Sequence, residues 1–189
     1  DLVRSRGLGD VYKRQEYPVM AAIGQSDNNY TTVALSRYVT AVASGKKYNY
    51  QLMDRIVDAS GKTVKKYKAD YEDISDTLTD SQWDALHSGM RQVVSTMDRF
   101  QGFDIPVAGK TGTAQQTGHA NHGLFIGYAP YDDPEITIAV RIANGYSSHN
   151  AATAARNVIS YYYKETSMKD IKEMKAAGVN GNTRNSVAD

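Results

Sequence analysis

The sequence predicts an α+β fold, an antiparallel sheet flanked by helices. Three observations carry that expectation. Two amphipathic helical stripes lie at residues 31–44 and 81–96. Three β-prone segments follow in succession between residues 105 and 143, and a last helical segment spans 150–163. Runs of strands beside runs of helices, joined by short loops, favour segregated α and β elements over an alternating parallel sheet. The 189 residues suffice for one domain with a core.

In the first helix Leu35, Tyr38, Val39 and Val42 form an i, i+3, i+4, i+7 stripe. Thr31 or Thr32 can cap its start, and Gly45 stands where a left-handed C-terminal residue is wanted. QLMDRIVD and TVKKYK flank Ala59-Ser60-Gly61-Lys62, which reads as a hairpin. The second helix has a capping box in Thr79 and Gln82, with Trp83, Leu86, Met90, Val93 and Met97 on one face. Then the period changes. Ile105–Ala114, Gly123–Ala129 and Glu135–Ala143 are strands, the last two joined by the turn Pro130-Tyr131-Asp132-Asp133-Pro134. Ser147, Ser148 or Asn150 can cap the final helix.

Composition removes several function classes. There are 22 Lys+Arg against 21 Asp+Glu, a net charge of +1. That balance gives no general reason to expect nucleic acid as a partner. Cys is absent, so disulfides, thiolate metal sites and a cysteine nucleophile are excluded. No apolar run approaches 18 residues. No cofactor or metal is expected. His119 and His122 stand at i, i+3 in a loop between strands with no third ligand evident, and read as loop histidines.

The two ends differ from the middle. Residues 1–15 are basic and aperiodic, and Asp10–Gln15 resembles the translation of a transposon-type sequencing adapter end. They are set aside as a non-native segment. Without them the net charge moves from +1 to −1. Residues 164–189 are polar and read as a weak helix, Ser167–Ala177, followed by a disordered tail.

The segment with the most chemical content is Lys110-Thr111-Gly112-Thr113-Ala114. A Lys-Thr-Gly tripeptide on a strand is a signature of penicillin-recognising acyltransferases. Lys110 supplies a cation that can hold a carboxylate and bias proton positions near a nucleophile. Thr111 adds a hydroxyl donor to the same carboxylate. Gly112 lacks a Cβ, so a substrate backbone can lie against the strand. Thr113 can offer its N–H to a developing oxyanion. Lys110 and Thr113 are therefore the catalytic candidates, and Lys110, Thr111, Gly112 and Thr113 the substrate-binding ones.

Around this motif the likeness is broad. Ile23-Gly24-Gln25 followed by Thr31-Thr32 and a helix, the strand Gly109–Ala114, and Leu124-Phe125-Ile126-Gly127-Tyr128-Ala129-Pro130 resemble the C-terminal half of the transpeptidase domain of class B penicillin-binding proteins. The resemblance implies an incomplete penicillin-binding protein/serine β-lactamase-like fold over residues 16–163. It implies a D-alanyl-D-alanine transpeptidase that crosslinks peptidoglycan and is acylated by β-lactams. It further implies an extracytoplasmic parent with an upstream membrane anchor, working beside other cell-wall synthesis proteins.

In this family a Ser-x-x-Lys serine attacks and a Ser-x-Asn triplet helps move the proton. Ser44-Gly45-Lys46-Lys47 fits the first pattern in letters, but lies at a helix end. Ser26-Asp27-Asn28 fits the second, but reads as a turn before the helix near Thr32. The chain is therefore expected to lack the nucleophile. The alternatives are a serine β-lactamase using Ser26-Asp27-Asn28, a β-lactam sensor domain, or a small binding module in which Lys110 is only a surface residue. For the enzyme reading, the Lys110 strand should be central or next to an edge of its sheet, flanked by the helix at 150–163. The helix at 31–44 should show an exposed apolar face.

Overall fold

The computed structural model describes residues 30–115 and 118–173. Contacts divide the chain into residues 1–31 and 32–189, and the architecture below is that of the second unit. Residues 1–15, Ile23-Gly24-Gln25, Ser26-Asp27-Asn28 and 174–189 lie outside the described residues.

Helix α1 spans Thr32–Ser44 and stops at Gly45, whose φ of 66° is the left-handed value expected of a helix-ending glycine. Strand β1 is Lys46–Tyr48 and pairs with β4, Tyr71–Asp73; between them β2, Arg55–Val57, pairs with β3, Thr63–Lys66. The inner hairpin is the one the sequence predicts, shortened at its outer ends. The outer ribbon is an addition. Asn49 and Tyr67 continue the ladder between the two ribbons by donating their N–H groups to Asp70 and Asp54 carbonyls, each at 2.8 Å. A long two-stranded arm results.

Helix α2, Asp80–Ser95, begins with the expected capping box, in which the Thr79 N–H donates to the Gln82 side-chain oxygen at 2.9 Å. Strands β5 (Ala108–Ala114), β6 (His122–Ala129) and β7 (Ile136–Ile142) form an antiparallel meander in the order β5-β6-β7. Helix α3, Ser148–Tyr162, is capped by Ser147, whose Oγ accepts the His149 N–H. A short helix α4, Met168–Glu173, follows.

Alternation along the strands creates two different sheet faces. On one face Phe125 packs with Ala151, Ala152, Ala155 and Ile159 of α3, and Ile138, Val140 and Ile142 of β7 join them. The small alanines let α3 approach the sheet closely. On the other face Ala108 and Tyr128 pack with Val39 and Val42 of α1 and Met90 of α2. Each large apolar side chain buried here contributes about 1.5–3 kcal/mol. The Thr40 and Thr137 hydroxyls, 2.7 Å apart, fix α1 against β7.

The buried stripe of α2 is shifted from the predicted one. Met90, Val94 and Met97 are buried, whereas Val93 is only partly so. Trp83 stays partly exposed and donates its indole N–H to the Ser75 carbonyl at 2.8 Å. Helix α1 buries Val39, Ala41 and Val42 but leaves Val33 and Tyr38 61% and 57% exposed, so part of its apolar surface faces outward as expected.

Candidate functional site

Lys110, Thr111, Gly112 and Thr113 all lie on β5, in register with Ile126, Phe125, Leu124 and Gly123 of β6. Among the described residues β6 is the only strand paired with β5. Among the described residues the motif therefore sits on an outer strand of the sheet, where the sequence predicts a central strand or one next to the edge. An outer strand of a sheet is the kind of element that accepts an extended peptide.

Alternation separates the four side chains. Lys110 and Gly112 share the α1/α2 face with Ala108, whereas Thr111 and Thr113 share the α3 face with Gly109. Lys110 is exposed, just past the buried Ala108–Tyr128 patch, and its Nζ donates to the Thr111 carbonyl at 3.1 Å. Thr111, Gly112 and Thr113 are half-buried.

The start of β5 is held from several directions. Arg91 donates to the Val107 carbonyl at 3.2 Å, and the Tyr131 N–H donates to the Pro106 carbonyl at 2.7 Å. Beneath Ala108, the rings of Tyr128 and His87 lie 5.7 Å apart, and His87 Nε2 is 3.0 Å from the Val42 carbonyl. Tyr128 is fully buried, and among the described residues its hydroxyl has no hydrogen-bond partner; burial pushes its pKa up to about 12.

The other end of β5 is anchored through β6. Ala114 faces His122. His122 is the first residue of β6, not a loop residue, and its Nδ1 accepts the Asn144 N–H at 3.0 Å. That assigns its Nδ1 as the unprotonated nitrogen. Burial, and secondarily Arg141, hold its pKa below the usual histidine value. The Tyr146 N–H donates to the buried Asn121 carbonyl at 3.0 Å. Asn144 and Tyr146 take φ of 52° and 65°, unusual for residues with a Cβ. The corner between β7 and α3 is thereby clamped onto the connection that follows the Lys-Thr-Gly strand. Neither this clamp nor the Tyr128 platform was singled out from sequence. Asn144-Gly145 was the available signal, since Asn and Gly favour positive φ.

Among the described residues no group of three or more His, Asp or Glu side chains is placed to hold a metal. Ser44 lies at the last turn of α1 with its Oγ donating to the Thr40 carbonyl at 2.7 Å. Gly45 then turns the chain, and Lys46 and Lys47 belong to β1. Ser44 and Lys47 thus do not share a helical face, as the sequence indicates. Two clefts of the described surface lie away from β5, one on the arm and one beside the end of α3.

A family model of the penicillin binding protein transpeptidase domain matches residues 11–160. The chain belongs to that family. The match begins within the segment set aside at the N-terminus. Peptidoglycan D,D-transpeptidase MrdA of Haemophilus influenzae is 29% identical over 180 residues, covering 82% of this chain and 27% of that protein. MrdA of Acinetobacter baumannii is 36% identical over 102 residues, or 44% of this chain and 15% of that protein. The chain thus spans about a quarter or less of these relatives.

Penicillin-binding protein A from Mycobacterium tuberculosis, solved as an imipenem acyl-enzyme complex, superposes with a TM-score of 0.67 at 22% identity, over 76% of this chain and 33% of that one. Pseudomonas aeruginosa PBP2, solved with WCK 5153, gives 0.57 at 27% identity, over 74% and 32%. The α+β fold with an antiparallel sheet expected from the sequence is therefore that of penicillin-binding protein transpeptidase domains.

Proposed function

We propose that residues 16–163 of this transpeptidase-family chain form the substrate-binding half of a peptidoglycan D,D-transpeptidase, which crosslinks stem peptides by serine acyl transfer. The observation that carries the reading is the placement of Lys110-Thr111-Gly112-Thr113 together on β5, an outer strand of the sheet among the described residues. A D-alanyl-D-alanine terminus is an extended peptide ending in a carboxylate. It can add along such an edge, with Lys110 and Thr111 meeting the carboxylate and Gly112 leaving room for its backbone. The Thr113 N–H would stabilise the oxyanion as the acyl bond forms and breaks. A β-lactam presents the same carboxylate and carbonyl in a ring, and would bind the same groups.

The nucleophilic serine and its lysine would come from residues outside 30–173. The relatives named MrdA support the peptidoglycan substrate. The acyl-enzyme complex of a family member supports the β-lactam reading. A Helicobacter pylori PBP2 is known in complex with MreC, which supports cell-wall synthesis proteins as partners of the parent. Peptidoglycan as substrate places the active parent on the extracytoplasmic face of a bacterial membrane, anchored by a segment outside the described residues.

Labelling with a fluorescent penicillin tests the reading. The 189-residue chain alone should remain unlabelled. A full-length parent should label covalently at a serine outside residues 30–173, and Lys110→Ala in it should slow acylation by roughly 10²–10³-fold, the size of effect seen when one preorganised electrostatic group is removed from a site. Labelling of the isolated chain, or normal acylation of the Lys110→Ala parent, would sink the assignment. Sequencing the source transcript through residues 1–16 tests the proposal that residues 1–15 are foreign.

A further inference from the structure

The arm formed by β1–β4 is not used by this reading, and its outer half is unusual. Every residue of β2 and β3 is exposed. Among the described residues the two strands pair only with each other, so both long edges of the ribbon are open. Two short strands alone are marginal in water; a third strand is the usual remedy.

Basic side chains outnumber acidic ones on the ribbon. Residues 50–70 hold five basic and three acidic side chains. Arg55 stands directly across from Lys66, a like-charge pairing that weakens a ladder. The nearby acids are spent on local structure. Asp58 accepts the Ser60 N–H at 2.9 Å and the Lys62 N–H at 3.0 Å, and Asp70 accepts from Asn49 Nδ2 at 2.7 Å. Asp54 is 3.8 Å from Arg55. Among the described residues no carboxylate lies within ion-pair distance of Lys62, Lys65, Lys66 or Lys68.

Apolar groups are interleaved with these cations. Leu52 is fully exposed, and Met53, Ile56, Val57 and Val64 are largely so. At the root of the ribbon Tyr50, Leu52, Met53 and Tyr67 line a cleft of about 480 Å³. A lipid-binding surface gathers its apolar groups on one face. Here Ile56 with Lys65, and Arg55 with Lys66, occupy opposite faces, so each face carries cations. Open backbone edges add a demand for hydrogen-bonding partners that lipid tails cannot meet.

We propose that the β2–β3 ribbon is a docking site for an extended acidic segment of a partner protein, which adds as a third strand. Its carboxylates meet Arg55, Lys65 and Lys66, and an apolar side chain enters the cleft at Tyr50, Leu52 and Tyr67.

The probe is a fluorescein-labelled eight-residue peptide alternating glutamate and valine, titrated with the 189-residue chain and followed by anisotropy. Saturable binding is expected. It should weaken at least tenfold for Arg55→Glu with Lys66→Glu, and for Leu52→Ser, which acts without changing charge. All three positions are exposed, and circular dichroism checks that the fold persists. A peptide N-methylated at alternate amides should not bind, because strand addition needs those donors. No saturable binding, full binding by the methylated peptide, or indifference to both variants would overturn the proposal. So would co-sedimentation with phosphatidylglycerol vesicles in place of peptide binding, which would make the ribbon a membrane contact.

Discussion

The Phe125 ring occupies the space a side chain at Gly109 would need. A Cβ at Gly109 would lie 2.5 Å from Phe125 Cζ and 2.7 Å from the Ile126 carbonyl oxygen. Three residues along the same strand, a Cβ at Gly112 would meet only the Leu124 side chain, at an ordinary 3.5 Å. Packing thus requires a glycine at 109 and not at 112. The missing side chain of Gly112 leaves space on the side where a substrate would approach.

The two positions should therefore separate stability from function. Gly109→Ala is expected to destabilise the chain by about 1–3 kcal/mol, the usual overpacking cost. Gly112→Ala should stay within about 0.5 kcal/mol of the parent, yet slow penicillin acylation of a full-length protein. Urea unfolding and acylation rates check the pair. Equal destabilisation by both would show that Gly112 is a packing glycine after all.

Tyr128 gives a prediction of opposite sign. Among the described residues its buried hydroxyl has no hydrogen-bond partner, and such a group costs about 1–3 kcal/mol. Tyr128→Phe should therefore leave stability unchanged or raise it, seen as an unmoved or higher urea midpoint. A clear loss would mean that the hydroxyl is hydrogen-bonded in solution.

Alkaline unfolding follows from the same group. Tyr128 and Tyr163 both have pKa values pushed up to about 12, in each case chiefly by burial. In the unfolded chain they ionise near the ordinary value of about 10. Folded pKa values above the unfolded one give stability that is complete below pH 10 and lost as pH rises toward 12. The melting temperature should fall across that window, and less steeply for Tyr128→Phe with Tyr163→Phe.

His122 acts at the acid side. Its folded pKa lies below the unfolded value, so its contribution is complete above about pH 6.5 and declines as pH falls through the folded value. Protonation also removes the lone pair that accepts the Asn144 N–H. Amide exchange at Asn144 and Tyr146 should accelerate between pH 7.5 and 5 beyond the intrinsic trend. In His122→Gln that extra dependence should disappear; if it persists, another group controls the corner.

Local signals decided which elements were legible from sequence. Gly45, the Thr79–Gln82 capping box and the alternation along Gly123–Ala129 each act within a few residues, and the structure places a boundary or strand at each. The β1–β4 ribbon was missed because Lys46-Lys47-Tyr48 and Tyr71-Glu72-Asp73 carry no apolar alternation. Their pairing instead brings together the Lys47–Glu72 ion pair at 2.7 Å and the Tyr48–Tyr71 ring contact at 5.2 Å, from residues that pair at sequence separations of 23 to 27. The edge position of β5 was equally unreadable, since strand order depends on which neighbours exist to pair. The placement of Lys110–Thr113 together on one strand was legible because it depends on residue type and spacing within a single segment.

The Thr40–Thr137 contact joins positions 97 residues apart. The meander β5–β6–β7 and α3 pack on neighbours in sequence, whereas α1 meets the sheet through contacts distant in sequence, to Ala108 and Tyr128 as well as Thr137. Loop closure costs entropy that grows as the logarithm of loop length, and non-local contacts slow folding. Early formation of the meander and α3, with later docking of α1, is the order these separations favour. A ribosome or translocation channel releasing the chain from its N-terminus would let α1 meet α2 first, through Val39, Val42 and Met90, and would leave its contact with β7 for last.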